Sequence, residues 1–238
     1  MKKILLASDT IDRDDVNKLI AWLSQEPIPK LTKGDKTVEY EQKYAKICGR
    51  KYAVFVNSGS SANLLAIASL IELRLLKNKK IVVPALSWIT TISPIIQLGL
   101  DPILCDINLR DLSVDLVDLE LIFMNQRPAA LFLVSILGLV PDMDRVIKLC
   151  RQYDVQLILD NCESQASMWK GESIESFGLI STCSSYFGHF SSTIEGGMLT
   201  TDNEQIYNIA KQLRSHGWER DLDAKEKDRL REKWNVGG

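Results

Sequence analysis

The chain has 238 residues, 45% hydrophobic and 25% charged, and a formal net charge of −2. That is enough polypeptide for one sizeable α/β domain, and the near-balance of charge excludes the general electrostatic attraction to nucleic acid or anionic membrane that a basic chain exerts. The opening run MKKILLASD holds too few apolar residues for a signal-peptide core or a membrane span. Residues 12–25 carry Val16, Leu19, Ile20 and Leu23 at helical spacing, and 37–48 read as a second helix. The apolar run Ala53–Val56 predicts a strand, SGSSA opens a helix over 60–76, and Ile81–Val83 predicts a strand before Pro84. A helix at 88–97 follows, then strands at 102–105 and 129–135, a helix at 142–152, and a strand at 155–159 that ends on Asp160. Glu195-Gly196-Gly197 is a turn feeding an apolar strand, and Lys225–Lys233 is charged and helical in propensity. Short strands alternating with helices of this length predict crossover units and a mostly parallel sheet with helices on both faces.

The five cysteines, Cys48, Cys105, Cys150, Cys162 and Cys183, are odd in number, scattered, and without CxxC spacing. Reduced thiols in a cytoplasmic protein are expected, with no disulfide and no metal site. No internal repeat or low-complexity linker divides the chain.

Ligands of open parallel sheets collect at the carboxyl ends of the strands, and four segments put polar groups there. Asn57-Ser58-Gly59-Ser60-Ser61 offers a tight turn and free amides at a helix N-terminus, suited to phosphate; a serine N-cap accounts for the same pattern. Trp88, after Pro84, can lie flat on a planar ring, or pack in the core. Asp160 ends a buried strand, where a carboxylate needs a partner, either a cationic ligand group or a structural one. The fourth segment is SSYFGHFSSTIEGG, with His189 six positions before Glu195.

In this order, the four segments resemble the sugar-nucleotide aminotransferases of the DegT/DnrJ/EryC1/StrS type, pyridoxal-phosphate proteins of aspartate-aminotransferase (type I) fold. The likeness runs through nearly the whole chain, from the region around VNSGSSAN through VVPALSWITT, LVSILGLVPDMD and LILDNCES to EGGMLTT. It implies that Gly59 and Ser60 grip the cofactor phosphate together with Ser184, that Trp88 stacks on the pyridine, and that Asp160 pairs with the pyridine nitrogen. Glu163 falls where a glutamine or histidine usually stands near the ring hydroxyl. It also implies that residues 1–238 form the cofactor-binding large domain with its N-terminal segment, and that the C-terminal small domain of such proteins is absent.

In the aminotransferases the position of His189 holds the lysine that forms the Schiff base. Imidazole cannot form that bond, but a histidine titrates near neutrality and can move a proton. The replacement resembles the 3-dehydratase branch of the family. No cysteine follows Cys183, which argues against the iron–sulfur kind; HFSSTIEGGM and Arg214-Ser215-His216-Gly217-Trp218 are most similar to the kind acting on GDP-4-keto-6-deoxy-D-mannose. That resemblance implies pyridoxal 5′-phosphate and its pyridoxamine form as cofactor, L-glutamate as amino donor, and a homodimer. It implies that His189 takes a proton from the cofactor methylene and assists departure of the sugar's C3 hydroxyl as water. A nucleotide-sugar aminotransferase, or an inactive truncated relative, are the alternatives left open. His216 and Arg220 either meet sugar or diphosphate, or stand at a solvated helix end.

Overall fold

The computed structural model describes residues 11–234; the MKKILLASD run and the closing residues 235–238 lie outside them. In chain order the elements are α1 (Arg13–Leu23), α2 (Asp35–Ile47), β1 (Tyr52–Val56), α3 (Gly59–Glu72), β2 (Lys80–Pro84), α4 (Ile89–Gln97), β3 (Asp101–Cys105), α5 (Leu116–Gln126), β4 (Ala130–Val134), α6 (Met143–Gln152), β5 (Gln156–Asp160), a small antiparallel pair β6 (Met168–Trp169) and β7 (Glu172–Ser173), β8 (Ile180–Ser184), β9 (Gly197–Thr201), α7 (Glu204–Leu213) and α8 (Ala224–Trp234). Seven strands form the main sheet in the order β1-β9-β8-β5-β4-β2-β3. Pairs β2·β3, β2·β4, β4·β5 and β5·β8 are parallel; β9 alone runs against its neighbours, β8 and β1.

The strands alternate strictly, as a sheet covered on both faces requires. Ile81, Val83, Phe132, Ile158 and Leu199 point into one core with α3, α4 and α7. Val82, Leu131, Leu133, Leu157 and Leu159 point into the other, against α5 and α6. Helix α2 covers the end of that second face through Tyr44, Ala45 and Cys48, packed on Ala53, Cys183 and Met198.

Five elements depart from the sequence expectation. The helix expected over 60–76 stops at Glu72, where Leu73 caps it and Arg74 takes a left-handed φ of 53°. Helix α1 forms, capped by Asp12, but its apolar stripe is not buried among the described residues: Leu19, Ile20 and Leu23 are all exposed. Helices α5 and α7 and strand β8 lie where no element was read. Strand β8 (ISTCS) is buried at every position although four of its five residues are hydroxyl or thiol types. Its polar side chains pair inward, Ser181 with Asn161 and Thr182 with Asn63, which hydropathy alone does not reveal.

Registry aligns the strand ends. Val134 pairs with Asp160, Asp160 with Thr182, Ser184 with Gly197, and Gly197 with Val56. All four polar segments singled out in the sequence therefore leave the sheet at one edge.

Candidate active site

Asp160 closes β5 and is only 3% exposed. Its Oδ2 accepts hydrogen bonds from Asn63 Nδ2 at 2.7 Å and Thr91 Oγ1 at 2.8 Å, and its Oδ1 from the Cys162 amide at 3.2 Å. Hydrogen bonds to a charged group contribute about 1.5–3 kcal/mol each, which offsets part of the cost of burying the carboxylate. All three donors are neutral, and no Lys, Arg or His among the described residues forms an ion pair with it.

Next to it stands the turn from β1 into α3. Ser58 caps the helix by accepting from the Ser61 amide at 3.1 Å. The helix supplies no acceptor for the amides of Gly59 and Ser60 ahead of it, as at any helix start. Gly59 is required by space rather than by backbone angle. A Cβ there would stand 2.7 Å from Cys162 Sγ and 2.7 Å from Ser184 Cβ, so Gly59, Cys162 and Ser184 are in van der Waals contact. The start of β9 presses on the same turn: a Cβ on Gly197 would lie 2.2 Å from the Ser58 carbonyl oxygen, and one on Gly196 would lie 2.4 Å from Ser185 Oγ. Burial and the adjacent Asp160 carboxylate push the Cys162 thiol well above its ordinary value, which keeps it a neutral packing group.

Trp88 is the N-cap of α4, the helix that brings Thr91 to Asp160, and its ring is 70% exposed rather than buried in the core. Glu163 is exposed, and its Oε2 accepts the Leu137 amide of the neighbouring loop at 2.9 Å. Ser60 lies exposed in the first turn of α3, and Ser184 is buried at the end of β8.

His189 is half-buried on the loop between β8 and β9. That loop is closed at its base by Ser185 and Thr193, through a 2.9 Å backbone bond and a 2.6 Å contact of their hydroxyls. It is clamped from the side by Gln165, whose Nε2 donates to the Ser184 carbonyl at 2.8 Å and whose Oε1 accepts from Ser191. The imidazole meets the edge of the Tyr186 ring, with centroids 6.4 Å apart. Tyr40 of α2 closes in from below; burial pushes its hydroxyl up to about 12, hydrogen bonding to Ser185 and Ser191 opposing the rise.

Gly59, Ser184 and Asp160 thus meet through the Cys162 segment, with Trp88 joined through Thr91, Glu163 through the Leu137 loop, and His189 through the loop rooted on Ser184. His216 and Arg220 lie apart, exposed on either side of Trp218: His216 meets its ring at 5.2 Å and the Arg220 guanidinium lies 4.4 Å over it. Asn63, Thr91, Thr182 and Gln165 escaped the sequence reading. Each makes its decisive contact with a residue distant in the chain, so that even Asn63 and Thr91, which close the quoted stretches VNSGSSAN and VVPALSWITT, gave no local sign of their partner.

Comparison with known proteins accounts for this arrangement. Residues 10–237 match the DegT/DnrJ/EryC1/StrS aminotransferase family, and the chain belongs to it. It is 37% identical over 229 residues to the GDP-4-keto-6-deoxy-D-mannose 3-dehydratase of Yersinia pseudotuberculosis, and 39% identical over 225 residues to that of Escherichia coli O55:H7. A crystal structure of GDP-4-keto-6-deoxymannose-3-dehydratase with a trapped PLP-glutamate geminal diamine superposes with a TM-score of 0.86 at 37% identity, covering 93% of this chain and 57% of that one. Each curated relative is matched over 93% of this chain and 57% of its own length, so the chain spans little more than half of them.

Proposed function

We propose that this chain is the cofactor-binding large domain of a pyridoxal-phosphate-dependent 3-dehydratase. In this reading it removes the C3 hydroxyl of a nucleotide-linked 4-keto-6-deoxy sugar, GDP-4-keto-6-deoxy-D-mannose, in deoxysugar and lipopolysaccharide biosynthesis. The observation that carries the reading is a histidine, not a lysine, at position 189, on a loop clamped over the sheet edge that buries Asp160 without a cation.

The residues present fit pyridoxal phosphate and pyridoxamine phosphate. Among the described residues Asp160 has no positive partner, and a protonated pyridine nitrogen would provide one. The amides of Gly59 and Ser60 at the N-terminus of α3 suit a phosphate, with Ser184 in contact with Gly59 behind them. The exposed face of Trp88 suits a planar ring. When bound, the cofactor supplies an amine for the C4 ketone and an electron sink for breaking the C3–O bond.

The chain's own side chains do the rest. Asp160 holds the proton on the ring nitrogen. Glu163, already accepting the Leu137 amide, would be the residue near the ring hydroxyl. His189 carries a proton on and off an imidazole nitrogen, first as base and then as acid toward the leaving hydroxyl. L-Glutamate as amino donor, a homodimer and a cytoplasmic setting, in keeping with five unpaired thiols, complete the assignment.

The test is direct. The chain, given pyridoxal phosphate and L-glutamate, should form the pyridoxamine chromophore and then release ammonia from GDP-4-keto-6-deoxy-D-mannose. Chromophore formation without ammonia, or amination of the sugar instead, overturns the dehydratase assignment.

A further inference from the structure

Asn63 is fully buried in α3, and its amide nitrogen donates to the Thr90 carbonyl at 3.1 Å and to Asp160 Oδ2 at 2.7 Å. A backbone carbonyl only accepts, so the atom facing Thr90 must be the nitrogen, and the amide cannot be flipped. Its oxygen therefore faces Thr182, whose hydroxyl donates to it at 2.6 Å. Thr91, also fully buried, gives Oδ2 a second donor at 2.8 Å.

The two oxygens of Asp160 are thus unequally used. A carboxylate oxygen accommodates about two hydrogen bonds. Oδ2 has both, short and from side chains with no solvent contact, whereas Oδ1 has one backbone donor, the Cys162 amide at 3.2 Å, and the only other donor beside the carboxylate among the described residues is the weakly donating Cys162 thiol. The open acceptor position of this buried carboxylate is on Oδ1.

We propose that Thr182, acting through Asn63, and Thr91 are positioning residues that saturate Oδ2 of Asp160 and leave Oδ1 as the single oxygen presented to the N–H of the cofactor's pyridine ring. The inference rests on the reading of Asp160 given under Proposed function. It adds that the ring nitrogen is recognised by an oxygen chosen in advance, through groups that never touch the cofactor. Preorganisation of this kind removes the need to turn the carboxylate when the ring binds.

The experiment compares binding of pyridoxamine phosphate, and of its analogue with C–H in place of the ring nitrogen, to the full 238-residue chain. Wild type should prefer the natural ring. Thr182→Val and Thr91→Val should each weaken binding of the natural ring by about tenfold and leave binding of the analogue nearly unchanged; Thr182→Ser and Thr91→Ser should restore the preference. A general loosening of the fold lowers both affinities equally, and that result overturns the proposal, as does a preference unchanged in both valine variants. Asp160→Ala separates the two levels. If it abolishes the preference while the valine variants keep it, this inference alone falls; if it leaves wild-type binding intact, or if wild type binds neither compound, the cofactor reading falls with it.

Discussion

Gln165 Oε1 accepts two hydrogen bonds from Ser191, from its amide at 3.2 Å and its hydroxyl at 3.0 Å, two residues beyond His189. With its Nε2 on the Ser184 carbonyl, this one side chain spans both ends of the segment that carries the imidazole. The position of the proposed base is therefore set by the fold and not by the ligand. Replacing His189 by Asn should preserve cofactor uptake and lower dehydration by about 10²–10⁴-fold, the usual contribution of a positioned acid or base. Replacing it by Lys should create a bond to pyridoxal phosphate that borohydride makes permanent, seen as a mass increase on the peptide containing residue 189. A variant that takes up cofactor but yields no such adduct would remove residue 189 from the site.

Trp88 gives a prediction in which stability and binding separate. Its ring is 70% exposed, so Trp88→Ala should change unfolding free energy by no more than about 0.5 kcal/mol. Loss of a stacking surface should weaken cofactor binding by about 0.5–1.5 kcal/mol, and Trp88→Phe should recover most of it. Equal losses in a denaturant titration and in a binding titration would argue for a packing role.

The glycines at the root of β9 should respond differently. Gly197→Ala sets a methyl 2.2 Å from the Ser58 carbonyl oxygen and 2.6 Å from the Gly59 nitrogen, both backbone atoms that cannot swing aside. The strand must back away from the α3 turn, at a cost of about 1–3 kcal/mol. Because the displaced turn is the proposed phosphate site, affinity for pyridoxal phosphate should fall as well. Gly99→Ala serves as the control for added side-chain volume, since nothing lies within 4 Å of a Cβ there, although its φ of 73° adds some backbone strain.

Glu175 provides a pH test away from the site. It is 3% exposed, and the Tyr44 hydroxyl donates to it in a hydrogen bond shared between its two oxygens, at 3.1 Å from Oε1 and 2.9 Å from Oε2. Burial raises its carboxyl above 4.5, with hydrogen bonds from Tyr44 and Cys48 and the charge of Arg50 pulling the other way. A carboxyl raised on folding binds more proton in the native than in the unfolded state. Its stabilising contribution is therefore full below the unfolded value and is lost as pH rises through the folded one. Glu175→Gln should flatten that decline, making the variant relatively more stable on the alkaline side. Parallel curves of unfolding free energy against pH would refute the assignment.

Much of this was legible in the chain. Ala53–Val56, Ile81–Val83 and Val155–Leu159 announced themselves because covered strands are continuously apolar, and the turns after them carried Gly59, Trp88 and Asp160 to one edge. What escaped was polarity turned inward. Strand β8 reads as a polar stretch, yet Ser181 and Thr182 are fully buried because Asn161 and Asn63 satisfy them. Thr182 and Asn63 lie 119 positions apart, so no local window contains both. The stripe on α1 was read correctly as helical, but periodicity says that a face is apolar and not what covers it.

The reversed strand β9 has a consequence for how the molecule is assembled. It is inserted between β8 and β1, pairing Tyr52 with Thr201, so β1 gains its sheet partner only after the strands and helices between them have been made. Until then β1 offers an unpaired apolar edge and the glycine turn has nothing pressed against it. During synthesis the growing chain must shield that edge from other nascent chains, and the last inward strand to arrive is the one that shapes the proposed phosphate turn.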